Sequence, residues 1–576
     1  MRWNVITPHG FVVLLFLLAT VFITYPLPFH LGELTVGHAD ELLISWIHNW
    51  NIQALAHNPS ELFHAATFYP YQNTLAYSDL FVFSSILSYL PVKIIGEPIV
   101  YHTFSLIASL FLLGVSIYAL SYYLTKNIFV SFLSGILLIF SPVVIDKFVH
   151  IQMLTVFFVP LSLLFLLHFV KTGRYRFLVF YLTCLFLQTI NSFLPGYFIV
   201  FSSVIILIWY WFQRKKLLKK RITKKAVLLI IGTITILSPF VLSYYSVSKE
   251  FSYVRDIRDT VHLALQPEDL FYPNKSTRLQ SFLTALQSSY PKEASLKVGY
   301  MGAMLSILSL LAMYFVWKRR VKVAYPFLSI GFVGLVLSLG PVLHLGRVTV
   351  HKPFLIPLPY SVLYYLVPGF QGFRNSSRWE MLFVLMMVVV IGIVLAFLFK
   401  RVSFKKQLLI TILLTIGVVG EYNFPMQFFT IPQKKDFPKE YHWLVTTPKD
   451  SVFVEMPIYT WRMQPYANKE FLRLYYNTVN SRRTLNGTSG FSPPKWEKNV
   501  STLLAQFPNE QSVNQLRMQN IDYVLVHKDE YNLLSQAKFA VEKSVIPNGE
   551  TVIEKLRNNK AVTLIKQFNN TYIYKL

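Results

Sequence analysis

"LFVFSSILSYLPVKIIG", residues 80–96, is the apolar stretch whose reading decides how the whole chain threads. A helix needs about 20 apolar residues to span a bilayer; this stretch is shorter, is broken by Pro91 and carries Lys93. Other apolar runs lie near 11–29, 99–124, 128–146, 151–170, 177–194, 196–212, 226–246, 298–317, 323–343, 380–399 and 407–421. If 80–96 does not cross, one side of the membrane collects the N-terminus, "TKN", "KTGRYR", "QRKKLLKKRITKK", "KRRVK" and "KRVSFKK". Those segments hold 21 Lys and Arg and no Asp or Glu, the bias of cytoplasmic loops. If it does cross, the five later basic loops fall outside, against that rule. The stretch therefore reads as a re-entrant or interfacial helix. The expectation is a mostly α polytopic membrane protein of about 11 transmembrane helices, with its N-terminus cytoplasmic and its C-terminus external.

Composition agrees. The 576 residues are 54% hydrophobic and 14% charged, with a mean hydropathy of +0.45, whereas soluble domains carry about 25% charged residues. The formal charge of +26 is largely punctuation between apolar runs, so it speaks for topology and against nucleic acid. The single cysteine, Cys184, excludes a disulfide framework and a paired-cysteine metal site. The first run has no small-residue cleavage site and reads as a retained helix.

This threading puts 30–98, 247–297, 344–379 and everything after about 422 on the outer face. After "GEYNFP" the long apolar runs stop. "DSVFVEMPIY" (450–459) and "NIDYVLVHKDEY" (520–531) alternate in the manner of half-buried strands. "FPNEQSVNQLRMQNI" (507–521) between them has helical spacing. The expected division is a transmembrane domain, 1–429, with external loops, and an extracytoplasmic α/β domain, 430–576. "NGTSG" (486–490) reads as a turn, structural or in contact with a glycan or lipid.

In the first external loop, "GHADELLISWIHNW" (37–50) opens a segment with apolar positions at 42, 43, 46, 47, 50 and 54. That is the spacing of an amphipathic helix lying along the interface, with Trp46 and Trp50 as headgroup anchors. Asp40 and Glu41 stand at its start, where the helix dipole favours carboxylates. Asp40 is either a helix cap or a general base held at the membrane surface. A second external acid, Asp146, ends a run in "SPVVIDKFVHIQ", with His150 and Gln152 close behind. Arg255 and Arg258 are three apart, and either pair with Asp256 and Asp259 or grip a phosphate. Arg374 and Arg378 in "FRNSSRW" form a second outer-face pair.

The segment from "TYPLPF" through "LAYSD" (24–79) resembles the first-loop signature of bacterial multispanning proteins in the GT-C class of glycosyltransferases. Asp40, Trp46, "FYP" (68–70) and "LAYSD" (75–79) match; Glu41 stands where that family often has Pro. "FSP" (140–142), "HIQ" (150–152), "GP" (340–341), "LPYSVLYYLVPGFQGFRNSSRW" (358–379), "VFVEMP" and "LNGTSGFSPP" extend the match over nearly the whole chain. The resemblance implies an enzyme of the bacterial cell membrane. It would move a sugar from a polyprenyl-phosphate-linked donor to a cell-envelope glycan or lipid acceptor on the outer face. Asp40 matches the catalytic base, with Glu41 as its neighbour. Asp146, beside His150, matches the second acid that helps hold a divalent metal in some members, which implies Mg²⁺ or Mn²⁺ on Asp40 and Asp146. Arg255, Arg258, Arg374 and Arg378 are the candidates for the donor phosphate, and His38, Trp46, Tyr69 and Asp79 support the first loop. Two rivals stand beside this reading. One is a non-enzymatic scaffold presenting the tail to cell-wall polymers. The other is a lipid or polymer transporter, against which the acids lie at span ends and no internal repeat is found.

Overall fold

The computed structural model describes residues 7–271, 273, 277–278, 299–345, 348–349, 356–423, 427–541 and 544–576. Parts of the expected external loops, 279–297 and 346–347 with 350–355, lie outside the described residues. The protein is mostly helical. Among the described residues five helices are long and apolar enough to cross a membrane: Val100–Thr125, Ile151–Thr172, Phe193–Lys215, Lys224–Phe251 and Ser376–Phe399. A sixth span is available if Ile128–Ile139 and Pro142–Phe148, bent by 50° at their break, count as one.

The expected eleven spans are not reached among the described residues, in part because several apolar runs hold helices shorter than themselves. The run 128–146 breaks at Ser141-Pro142, where proline has no amide hydrogen to continue the ladder and the Ser141 hydroxyl donates to the Met301 carbonyl at 3.0 Å. The first run holds a helix only over Pro8–Ile23, about 24 Å long by helical rise against a hydrocarbon core of about 30 Å. Tyr175–Thr189 and Lys322–Ser338 are also short.

The chain divides into two compact units. The membrane unit comprises 1–29, 104–241 and 253–427. Its best-buried helix, Glu380–Phe399, is apolar on every side and packs against Tyr325–Ser338. There Gly334 is required, since a Cβ would stand 2.9 Å from the Phe383 amide nitrogen.

The second unit comprises 30–103, 242–252 and 428–576. The first external segment, expected as a loop of the membrane domain, thus folds with the tail. The tail's sheet has five strands: β1 (Val452–Met456), β2 (Arg483–Thr484), β3 (Tyr523–His527), β4 (Thr563–Phe568) and β5 (Thr571–Lys575). Their order is β4-β5-β3-β1-β2, with β1 parallel to β2 and β3, and β5 antiparallel to β3 and β4. β1 was expected half-buried, yet all five of its residues are buried. It is a central strand covered on both faces, which buries Glu455 with it.

The first segment completes this unit. Leu34–Thr35 pairs antiparallel with Phe429–Thr430. Residues 66–69 run beside β2: Phe68 N–H donates to Asn486 O at 3.0 Å, Tyr69 N–H to Thr484 O at 2.9 Å, and Thr484 N–H to Ala66 O at 3.1 Å. The helix Asp40–His57 packs against Asn468–Asn477, and Leu42, Ile99, Ile431, Phe437 and Tyr475 share one core. That corrects the expected surface helix. Trp46 is only 4% exposed, and the half-buried Trp50 donates its indole N–H to Leu62 O at 2.8 Å. Both tryptophans serve the unit's interior. The helix Val82–Ile95 has the reverse pattern, with Ser84, Ser85 and Ser88 buried and Ile86, Leu90 and Ile94 exposed. An apolar outer face of this kind suits hydrocarbon rather than water.

Candidate active site

The chain enters the acidic turn from the short Leu34–Thr35 strand. His38, exposed, packs its ring 4.7 Å from Phe429. Ala39 holds the N-cap position with no side-chain cap, and Asp40 is the first residue of the helix, so it is not the helix cap. Asp40 stays half-buried, while Glu41 is 1% exposed. The Glu41 carboxylate folds back over Gly37, where any Cβ would collide with it. Its Oε2 accepts the Ala39 N–H at 3.3 Å, and its Oε1 has no hydrogen-bond partner. Burial raises the Glu41 pKa to about 7; backbone hydrogen bonds oppose the rise and the Asp40 charge adds to it. The turn thus pairs a half-exposed aspartate with a buried carboxyl that titrates near neutrality, the property expected of acid-base groups. Further along the helix, the buried His48 donates from Nδ1 to Ile44 O at 2.6 Å, and burial lowers its pKa to about 4.

Tyr69 and Asp79, read as supporting residues, belong to the packing of the same unit. Tyr69 lies under the Arg483 guanidinium at 5.4 Å, and half-buried Asp79 is within electrostatic reach of Tyr244. "NGTSG" is a latch rather than a free turn. Gly487 meets the Phe68 ring at 2.7 Å from its ideal Cβ, and Gly490 meets Tyr77 O at 2.9 Å.

The sequence reading missed a buried ionic network in the tail. Arg473, 5% exposed, donates to Pro457 O (2.8 Å), Glu470 (2.7 Å) and Glu530 (2.6 Å). Glu455 is held by Tyr441 at 2.7 Å and by His527 Nε2 at 2.8 Å. Asn486 donates to Glu470 at 3.1 Å and accepts the Glu455 N–H at 2.8 Å. Burial raises Glu470 to about 7 even against the Arg473 charge. Glu530 falls to about 2: burial pushes it up, but Arg473, His527 and Lys469 outweigh that. Burial pulls His527 down, yet its Glu455 hydrogen bond and the Glu530 charge leave it above its usual value. The signal was a Glu inside "VFVEMP" and an Arg inside "KEFLRLYY"; their union is non-local.

In the membrane unit, Lys147 Nζ donates to Asp146 at 2.9 Å. His150 is held down to about 3 by burial and by the positive charges of Arg378 and Lys147. Glu380 lies within reach of Lys147, Asp146 and Asp269. Arg255 lies 5.1 Å over the Tyr253 ring and hydrogen-bonds to Tyr253, with Arg374 also near that tyrosine. Arg258, an exposed side chain, pairs with Asp256 at 2.6 Å. Asp40 and Asp146 belong to different units. Among the described residues no three His, Cys, Asp or Glu side chains gather as metal ligands.

A family model described as a domain of unknown function (DUF6311) matches residues 49–419. No curated protein matches the sequence. Among solved structures, the chain is similar to arabinofuranosyltransferase AftD from Mycobacteria, at 14% identity and TM-score 0.56 over 98% of this chain and 39% of that one. It therefore spans about two fifths of that enzyme's length. The oligosaccharyltransferase of Archaeoglobus fulgidus matches at 12% identity and TM-score 0.46, covering 92% of this chain and 71% of that one. ArnT from Cupriavidus metallidurans, bound to undecaprenyl phosphate, matches at 10% identity and TM-score 0.39, covering 98% and 97%. The resemblance to GT-C glycosyltransferases thus holds for the fold.

Proposed function

This chain belongs to the DUF6311 family, and from its fold and its acidic turn we propose that it is an integral membrane glycosyltransferase. It moves a sugar from a polyprenyl-phosphate-linked donor to a cell-envelope acceptor on the outer face, with Asp40 as general base. The observation that carries the reading is the fold likeness to the arabinofuranosyltransferase over 98% of the chain, which supports the class by analogy; the acidic turn supplies the residues.

Asp40 sits in the first helical turn, where the dipole favours a carboxylate. It accepts the proton of the acceptor hydroxyl as that oxygen attacks the anomeric carbon and the sugar–phosphate bond breaks. Glu41, with a pKa of about 7, shares the adjacent position without adding a full second charge. The leaving phosphate carries growing negative charge, which a guanidinium stabilises best; Arg255, Arg258, Arg374 and Arg378 are the candidates for that role. No step runs through a metal.

The test gives purified full-length protein in lipid nanodiscs a panel of labelled polyprenyl-phosphate sugars. Release or transfer of at least one sugar is expected. If every donor binds and none is turned over, the scaffold reading replaces this one.

A further inference from the structure

The second unit contains a hollow that no step of the proposed reaction uses. Its floor is apolar: Leu485, Val500, Leu503 and the buried Trp496, with Pro70 and Tyr71 along one wall. Three amides complete it, namely Asn499 on the helix Pro494–Gln506, and Gln515 and Gln519, one helical turn apart on and just after Glu510–Met518. The space measures about 90 Å³, several times what one water needs, and the exposed Asn499 stands at its mouth. Among the described residues no acidic or basic side chain lines it.

We propose that this hollow is a subsite for one ring of a neutral saccharide. A sugar ring presents an apolar C–H face and an edge of hydroxyls, each both donor and acceptor. Amide side chains offer the complement, an oxygen acceptor and an NH₂ donor on one group, and the floor takes the C–H face. The Asn499, Gln515 and Gln519 side chains make no hydrogen bond to another described residue, so their bonding capacity is open to a ligand; the nearby amides Asn486 and Asn509 are by contrast engaged. An anionic sugar or a phosphate would enter without a countercharge, which is unfavourable in a partly dry site. The inference rests on the transferase reading only for the ligand's identity as acceptor. Saccharide binding itself does not require turnover.

The experiment titrates neutral trisaccharides (maltotriose, mannotriose, cellotriose) and trigalacturonate into the full-length protein. The protein is held in nanodiscs free of sugar-headed detergent, and binding is read by calorimetry and by saturation-transfer NMR. At least one neutral trisaccharide is expected to bind saturably, and trigalacturonate at least tenfold more weakly. The double variant Gln515→Leu/Gln519→Leu is expected to weaken binding tenfold or more with an unchanged melting temperature, and Asn499→Leu to do so in part. Asp40→Asn is expected to bind as wild type, which separates this subsite from the catalytic reading. No binding by any neutral trisaccharide, equal binding of the uronate, or full binding by the double variant overturns the assignment.

Discussion

Two sets of carboxylates in the second unit have opposite fates. In the tail, Glu455, Glu470 and Glu530 surround Arg473, and tyrosine, histidine, asparagine and backbone donors meet their oxygens. In the acidic turn, Glu41 is as deeply buried yet is met only by backbone N–H groups, with an orphan oxygen, beside a half-exposed Asp40. A saturated network holds a fold in place. An undersatisfied carboxyl is held in place by the fold, at a cost in stability, and such sites are where function is found.

That contrast can be broken most severely at its cationic centre. Arg473→Met leaves three carboxylates without their guanidinium, and the unit is expected to lose about 3–5 kcal/mol. Hydrogen exchange of the β1 and β3 amides should accelerate accordingly, and unchanged protection would show that the network is dispensable.

Glu41→Gln sharpens the contrast with the opposite sign. The folded-state pKa of Glu41, about 7, lies above its ordinary 4.5. Its contribution is therefore fully present below about 4.5 and is lost as pH rises through about 7. Removing the charge should stabilise the unit at pH 8 by up to about 3 kcal/mol and leave it unchanged at pH 4. Parallel thermal scans at both pH values check this, and equal shifts at both would place the carboxyl in water.

A smaller effect is expected at the latch. Gly487→Ala drives a methyl into the enclosed Phe68 ring and should destabilise by about 1–3 kcal/mol, measurable as a lower melting temperature. Least of all, Arg258→Ala should change neither stability nor donor binding, because its partner Asp256 is itself exposed. A tenfold loss of donor affinity would place Arg258 at the phosphate.

Much of the helical fold was legible, because long apolar runs have few other ways to fold. The helix at 510–518 and the strands around 452 and 523 also fell where their patterns put them. The union of the first external segment with the tail was not legible. It rests on backbone pairing between 66–69 and 484–486, and hydrogen bonds across some 400 residues leave no periodicity to read. Trp46 was misplaced for a related reason. Apolar spacing shows that a helix has a face to bury, not whether lipid or protein covers it. In the site, Asp40 and Glu41 stood out as acids beside an apolar run, but the burial that separates their roles comes from Gly37 and the fold around it.

The claim that Asp40 is the base is tested most directly by comparing wild type with Asp40→Asn in nanodiscs, measuring donor binding and sugar release on the same samples. A carboxylate acting as general base predicts unchanged donor affinity and melting temperature, with release lowered by roughly 10²–10⁴-fold. Equal release by the two proteins would contradict it.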